Sequence, residues 1–63
     1  MTDAHFARLM HHVRERCAFI PRTRMPDREA EGELWSWYHR EAVGLTPQQR
    51  EELERAIRRG TGT

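Results

Sequence analysis

The sequence lacks lysine, holds a single cysteine, Cys17, and contains no long apolar run. A membrane-spanning helix needs about 20 consecutive apolar residues, so no such span is expected. A lone cysteine cannot form an internal disulfide, which favours a reducing compartment. The start of the chain also lacks the basic residues and the apolar stretch of a secretion signal. We therefore expect a cytoplasmic protein with no membrane partner.

Neither sign of charge dominates, because eleven basic residues nearly balance ten acidic residues and leave a net charge of +1. Every basic residue is an arginine. The planar arginine fork suits phosphate and carboxylate groups, although a GC-rich genome produces the same bias. With 63 residues the chain offers one small core and little concavity for a substrate. We expect a binding function and no enzymatic one.

Apolar residues recur at helical spacing in three segments, and no segment alternates as a strand does. The first helix is expected over 3–16, with Thr2 or Asp3 as its N-cap. The second helix is expected over 27–43 and to end before Gly44, which can adopt the left-handed conformation. Its acidic first turns suit the positive end of the helix dipole.

The third helix has the clearest start signal, because Thr46, Pro47 and Gln49 together form a capping box with proline at the first helical position. This helix is expected to end before residues 60–63, which are predicted to form a flexible tail. The sequence therefore predicts one all-α domain over residues 1–59, a small three-helix bundle.

The expected core draws on all three helices and consists of Leu9, Val13, Leu34, Trp37, Leu53 and Ile57. The connection between the first two helices contains two prolines, which disfavour helix in the residues before them. Its apolar residues Phe19, Ile20 and Met25 are expected to pack beneath it. Arg22 and Arg24 are expected to project outward.

Four histidines and Cys17 invite interpretation as a metal site. His11 and His12 are adjacent, however, and point about 100° apart on a helix, while Cys17 lies on the apolar face. We therefore expect no metal and no other cofactor. A reactive cysteine needs an accessible, electropositive setting with a base within reach, whereas Cys17 is expected in the core and no Gly-rich phosphate loop or His-Glu-x-x-His motif accompanies it.

Arginines concentrate around the connection, at Arg22, Arg24 and Arg28. On the second helix, Trp35 follows Arg28 at seven residues and shares its face. An exposed Trp beside Arg can stack on a base or fill a protein pocket. Alternatively, Trp35 covers the seam with a neighbouring helix. Nearby glutamates weaken the positive field and count against strong phosphate binding.

Three short motifs follow one another along the chain. They are Ile20-Pro21-Arg22-Thr23-Arg24, Glu31-Gly32-Glu33-Leu34-Trp35-Ser36-Trp37, and Leu45-Thr46-Pro47-Gln48-Gln49-Arg50 followed by Leu53. In this order they resemble the helicase-associated domain, a small three-helix module that commonly stands in tandem beside a helicase motor. The resemblance covers most of the chain and implies contact with nucleic acid. It also implies a free-standing copy of phage or mobile-element origin, in which Arg40 replaces an arginine that the family carries after its Trp.

Residues and resemblance together favour a nucleic-acid-associated binding module. Its phosphate contacts are expected to be Arg22, Arg24, Arg28, Arg40 and Arg50, with Trp35 as the stacking group. The alternative is a protein-protein adaptor or inhibitor that docks on a larger enzyme through Trp35, Tyr38 and nearby charges. The near-zero net charge favours the adaptor, whereas the arginine-bearing connection favours nucleic acid.

Overall fold

Three helices make up the fold of the computed structural model, which describes residues 2–62 and only the backbone of Thr2. They are α1 (Thr2–Ala18), α2 (Arg28–Glu41) and α3 (Pro47–Thr61), with a 3₁₀ turn at Arg22–Arg24 between α1 and α2. No strand occurs among the described residues. The predicted all-α three-helix bundle is therefore confirmed. The Thr2 side chain, one predicted N-cap of α1, and Thr63 of the predicted tail lie outside the described residues.

The directions of the helices follow from contacts at their ends. The Gln49 side chain donates to Asp3 at 3.3 Å, and Cys17 lies against Gly60, so α1 and α3 run parallel. The His5 ring bonds the carbonyl of Glu41 at 2.9 Å, which sets α2 antiparallel to α1. Asp3, the other predicted N-cap, lies inside the first turn of α1, because that helix begins one residue earlier than predicted.

The caps of α2 agree with the sequence at its start and differ at its end. The Asp27 carboxylate accepts a hydrogen bond from the amide of Ala30 at 3.0 Å, as an N-cap does. The helix ends at Glu41, two residues before the predicted end. The chain then turns through Gly44, whose φ of +86° is left-handed. This turn carries Leu45 into the core.

The capping box of α3 is present as predicted. Thr46 Oγ1 accepts from the amide of Gln49, and the Gln49 side chain accepts from the amide of Thr46, both at 3.1 Å. The predicted start of the flexible tail is wrong, because Gly60 and Thr61 belong to α3. The buried Thr61 hydroxyl donates to the carbonyl of Ile57 at 2.8 Å. The Thr61 carbonyl in turn accepts from the amide of Asp27 at 3.1 Å.

The core lies between α3 and the other two helices. Five of the six predicted core residues are buried, namely Leu9, Val13, Leu34, Leu53 and Ile57, and they are joined by Tyr38, Ala42 and Leu45. The prediction is wrong for Trp37, which is only half-buried. Tyr38, one position further along α2, is the aromatic residue that enters the core instead.

The connection differs most from its prediction. Phe19 is 85% exposed and Met25 is 40% exposed, while Ile20 is half-buried. The expectation that these residues pack beneath the connection is therefore wrong. The helices close the core without them, since Leu53 and Ile57 are already fully buried. Arg22 and Arg24 are exposed on the 3₁₀ turn, as predicted.

Two helical glycines differ in the space around them. A Cβ at Gly60 in α3 would overlap Cys17 Sγ and would stand 2.8 Å from Cys17 Cβ. A Cβ at Gly32 in α2 would meet no atom within 4 Å. The close approach of α1 and α3 therefore depends on glycine at position 60 and not at position 32.

We predict opposite effects of alanine at these two positions. Gly60→Ala should lower the free energy of unfolding by about 1–3 kcal/mol, because α1 and α3 must move apart. Gly32→Ala should raise it by up to about 1 kcal/mol, because alanine is the better helix former. Urea denaturation followed by circular dichroism measures both changes. Equal stability of the two variants would contradict the packing of Cys17 on Gly60.

The capping box yields a second stability prediction. Thr46→Ala should lower the free energy of unfolding by about 0.5–2 kcal/mol, because the amide of Gln49 loses its acceptor. Thr46→Ser keeps that acceptor and serves as the matched control. If both variants unfold at the midpoint of the original protein, the cap does not stabilise α3.

Candidate functional site

A groove separates α1 from α2, because each of these helices packs more closely on α3 than on the other. Its volume is about 610 Å³, which falls in the range of ligand-binding clefts. Most of its lining comes from α2. The residues along it are His12 and Arg16 of α1 and Arg28, Glu29, Gly32, Glu33, Leu34, Ser36, Trp37 and Arg40 of α2.

One row of α2 runs along the groove. Arg28, Gly32, Ser36 and Arg40 follow one another at intervals of four residues and therefore share a helix face. The small side chains of Gly32 and Ser36 leave the middle of this row open. The two arginines stand at its ends, about 18 Å apart along the axis at the usual helical rise.

An aromatic pair forms one wall of the groove. The His12 ring stacks on the Trp37 indole with a centroid distance of 4.3 Å and an angle of 27° between the planes. Both residues are half-buried. Sequence reasoning missed this pair, since it placed Trp37 in the core and considered His12 as a candidate metal ligand.

The charges around the groove are unevenly paired. Arg16 forms an ion pair with Glu33 at 2.8 Å, and Arg24 lies 3.9 Å from Glu29. Arg22, Arg28 and Arg40 form no ion pair with any described residue. Exposed ion pairs of this kind contribute little energy and exchange easily. The groove therefore presents unpaired positive charge.

A second, smaller hollow adjoins the groove at the end of α1. Its volume is about 220 Å³, and its lining includes Phe19, Ile20, Pro21 and Arg24. Arg16 lines both hollows, so they form one continuous surface. The Asp27 carboxylate also borders the smaller hollow, but it already accepts a hydrogen bond from the amide of Ala30.

The predicted binding residues separate into two groups. Arg28 and Arg40 line the groove, and Arg22 and Arg24 stand on the adjoining turn. Arg50 instead borders a third hollow, together with Tyr38, His39, Ala42 and Val43. The structure therefore places Arg28 and Arg40 in one groove and Arg24 in the hollow beside it, whereas Arg22 lines neither hollow and Arg50 lies elsewhere.

Trp35 is half-buried against the core and does not line the groove. Its ring packs in a T-shaped arrangement with Tyr38 at a centroid distance of 5.5 Å, and the Arg58 guanidinium lies 5.7 Å from the Trp35 ring centroid. This arrangement matches the alternative in which Trp35 covers a helix seam. Trp35 follows Arg28 by two helical turns, but only Arg28 lines the groove.

Tyr38, which the adaptor hypothesis placed on the docking surface, is buried. Its hydroxyl donates to Glu54 Oε2 at 2.6 Å. Burial, reinforced by this hydrogen bond, raises the pKa of Tyr38 to about 12. Tyr38 therefore connects α2 to α3 and is not available to a partner.

The described part of the chain holds no cluster of three or more metal-ligating side chains. Burial raises the pKa of the Cys17 thiol, which works against a reactive thiolate. No helix within residues 2–62 has the length and apolar character needed to cross a membrane. Comparisons with protein-family models, curated proteins and solved structures found no match. The resemblance to the helicase-associated domain therefore stays a prediction.

The environment of Tyr38 predicts a loss of stability in alkali. An unfolded tyrosine ionises near pH 10, whereas folded Tyr38 stays neutral until its pKa of about 12. Its stabilising contribution is complete below pH 10 and should disappear as the pH rises from 10 to 12. No lysine titrates in this window, and Tyr38 is the only tyrosine.

The measurement is urea denaturation at several pH values between about 9 and 12, an interval that spans the reference and folded pKa values of Tyr38. Tyrosinate absorbance reports Tyr38 directly, because the chain has no second tyrosine. Tyr38→Phe should remove most of the decline above about pH 10. If the stability of that variant falls just as steeply in alkali, the loss of stability comes from another group, such as the Cys17 thiol.

Proposed function

We propose that this chain is a non-enzymatic binding module for nucleic acid and that it contacts phosphates with the arginines around the α1–α2 groove. We define this arginine surface as Arg22, Arg24, Arg28 and Arg40. The observation that carries the proposal is that three of them form no ion pair within the described residues, while the fourth has only a distant carboxylate.

The chemistry of arginine supports this choice of ligand. A guanidinium presents several N–H groups in a rigid fork that matches two phosphate oxygens. Arginines with no carboxylate partner are free to bind phosphate without first breaking a protein contact. The net charge of +1 describes the whole chain, whereas binding depends on the charge of the surface that meets the ligand.

The spacing along α2 supports a polymeric ligand. Arg28 and Arg40 stand about 18 Å apart at the usual helical rise, which is too far for one phosphate group. The small side chains of Gly32 and Ser36 leave the groove open between the two arginines. A nucleic-acid backbone lying along the groove would place phosphates several nucleotides apart near the two ends of the row.

A protein-protein adaptor is the second candidate, and the near-zero net charge favours it. The burial of Tyr38 removes part of the surface on which that hypothesis depended. A protein partner would have to use the groove itself, with acidic side chains opposite Arg28 and Arg40. Such a partner would bind without nucleic acid being present.

Salt dependence tests the proposal. The logarithm of affinity for labelled duplex should fall with the logarithm of salt concentration by about 0.9 per phosphate contact. Replacing Arg28 and Arg40 together with alanine should flatten this slope by up to about two and weaken all sequences alike. The Arg22→Ala, Arg24→Ala pair should act in the same way. Fluorescence anisotropy at several salt concentrations measures each slope.

Arg50→Ala is the matched control, because Arg50 is an exposed arginine that borders a different hollow. Its slope should stay close to that of the original protein. A flattening by about 0.9, the loss expected for one phosphate contact, would show that the arginine surface is wrongly chosen. Absence of binding to any oligonucleotide at low salt would overturn the nucleic-acid proposal and favour the adaptor.

A further inference from the structure

Phe19 is an aromatic side chain with no visible structural role. It follows the last residue of α1 and is 85% exposed, the largest exposure among the large apolar residues of the described chain. It lies outside the group of side chains that pack against the core. Exposed phenylalanine gains nothing from hydrophobic burial in the free protein, so its contribution to stability is small.

The surroundings of Phe19 include arginines as well as apolar side chains. It lines the 220 Å³ hollow together with Ile20, Pro21, Arg16 and Arg24. Arg16 continues from this hollow into the α1–α2 groove. Phe19 therefore lies beside the groove that Arg28 and Arg40 line, and Arg16 connects the two hollows.

The arginines of this hollow are held only by exposed ion pairs, which an anionic ligand can replace. The Glu33 carboxylate is bound to Arg16, and the Asp27 carboxylate is bound to the amide of Ala30. Arg24 has only Glu29, at 3.9 Å. An apolar ring flanked by arginines is complementary to a ligand that joins a flat base to a phosphate.

We propose that Phe19 is a base-stacking group and that the ligand of this surface is single-stranded nucleic acid. This inference rests on the proposed function and specifies its substrate class. In a duplex the faces of the bases are already stacked on one another and cannot reach an exposed ring. In a single strand every base offers a free face, and aromatic side chains beside a basic groove are the usual means of binding it.

Phe19 takes the stacking role that sequence reasoning assigned to Trp35. Trp35 is occupied by Tyr38 and Arg58 on the other flank of α2. Trp37 lies in the groove but is already stacked on His12. Phe19 alone among these three aromatic residues has its ring largely open to solvent.

The test compares Phe19→Ala with two controls on the full chain. Phe19→Leu keeps an apolar side chain but removes the ring, so it separates stacking from hydrophobic contact. Val43→Ala removes an apolar side chain that is 71% exposed and borders a different hollow. Circular dichroism melting checks that each variant stays folded, which the exposure of Phe19 and Val43 leads us to expect.

Binding is measured by fluorescence anisotropy with a labelled mixed-sequence DNA single strand and with its duplex. Phe19→Ala and Phe19→Leu should both weaken single-strand binding by roughly 5- to 150-fold, the effect of losing one stacked base. The slope of affinity against salt should not change, because stacking is not ionic. The duplex affinity of both Phe19 variants should equal that of the original protein. The Val43→Ala variant should bind single strand and duplex as the original protein does.

Several outcomes would overturn the inference in distinguishable ways. Equal single-strand affinity of Phe19→Ala and the original protein would reject the stacking role and leave the arginine surface standing. Unchanged single-strand affinity of Phe19→Leu would show that Phe19 acts through hydrophobic contact and not through stacking. An equal loss on duplex would identify a wedge into base pairs and not a single-strand site. Failure of the original protein to bind either oligonucleotide would reject the proposed function as well.

Discussion

Leu53 and Ile57 of α3 lie between α1 and α2 and expose none of their surface. Each contributes about 1.5–3 kcal/mol through burial, a large share of the stability of so small a domain. Because both residues come from one helix, α1 and α2 each pack on α3 in preference to each other. The groove between α1 and α2 is the direct consequence, and Arg28, Arg40 and Trp37 line it for that reason.

The end of α3 also determines where the connection lies. The Thr61 carbonyl accepts from the amide of Asp27, and the Asp27 carboxylate caps α2. These two bonds join the last turn of α3 to the first turn of α2. They place the start of α2 beside the end of α1, so that the 3₁₀ turn with Arg22 and Arg24 adjoins the groove. Thr61, which was expected to belong to a flexible tail, therefore helps to position the site.

The balance of charge over the whole chain conceals an uneven distribution. Several carboxylates are engaged locally, as Glu33 is by Arg16 and Glu54 is by the Tyr38 hydroxyl. Arg28 and Arg40 have no such partner within the described residues. A net charge near zero is therefore compatible with a cationic groove, because the electrostatic field that a ligand meets is set by the nearest side chains.

The sequence by itself determined the three helices and the N-caps of α2 and α3, because these depend on residues within one or two turns. The Asp27 carboxylate caps α2 through the amide of Ala30, three residues along the chain, and the Thr46 hydroxyl caps α3 through the amide of Gln49, also three residues along.

Only the tertiary structure decided which side chains are buried and which are exposed. Trp35, Trp37 and Tyr38 crowd one stretch of α2, where one position changes the direction by about 100°, and the placement of α1 and α3 selected Tyr38 for the core. The exposure of Phe19 was likewise beyond local reasoning, since it depends on a core that the helices had already closed.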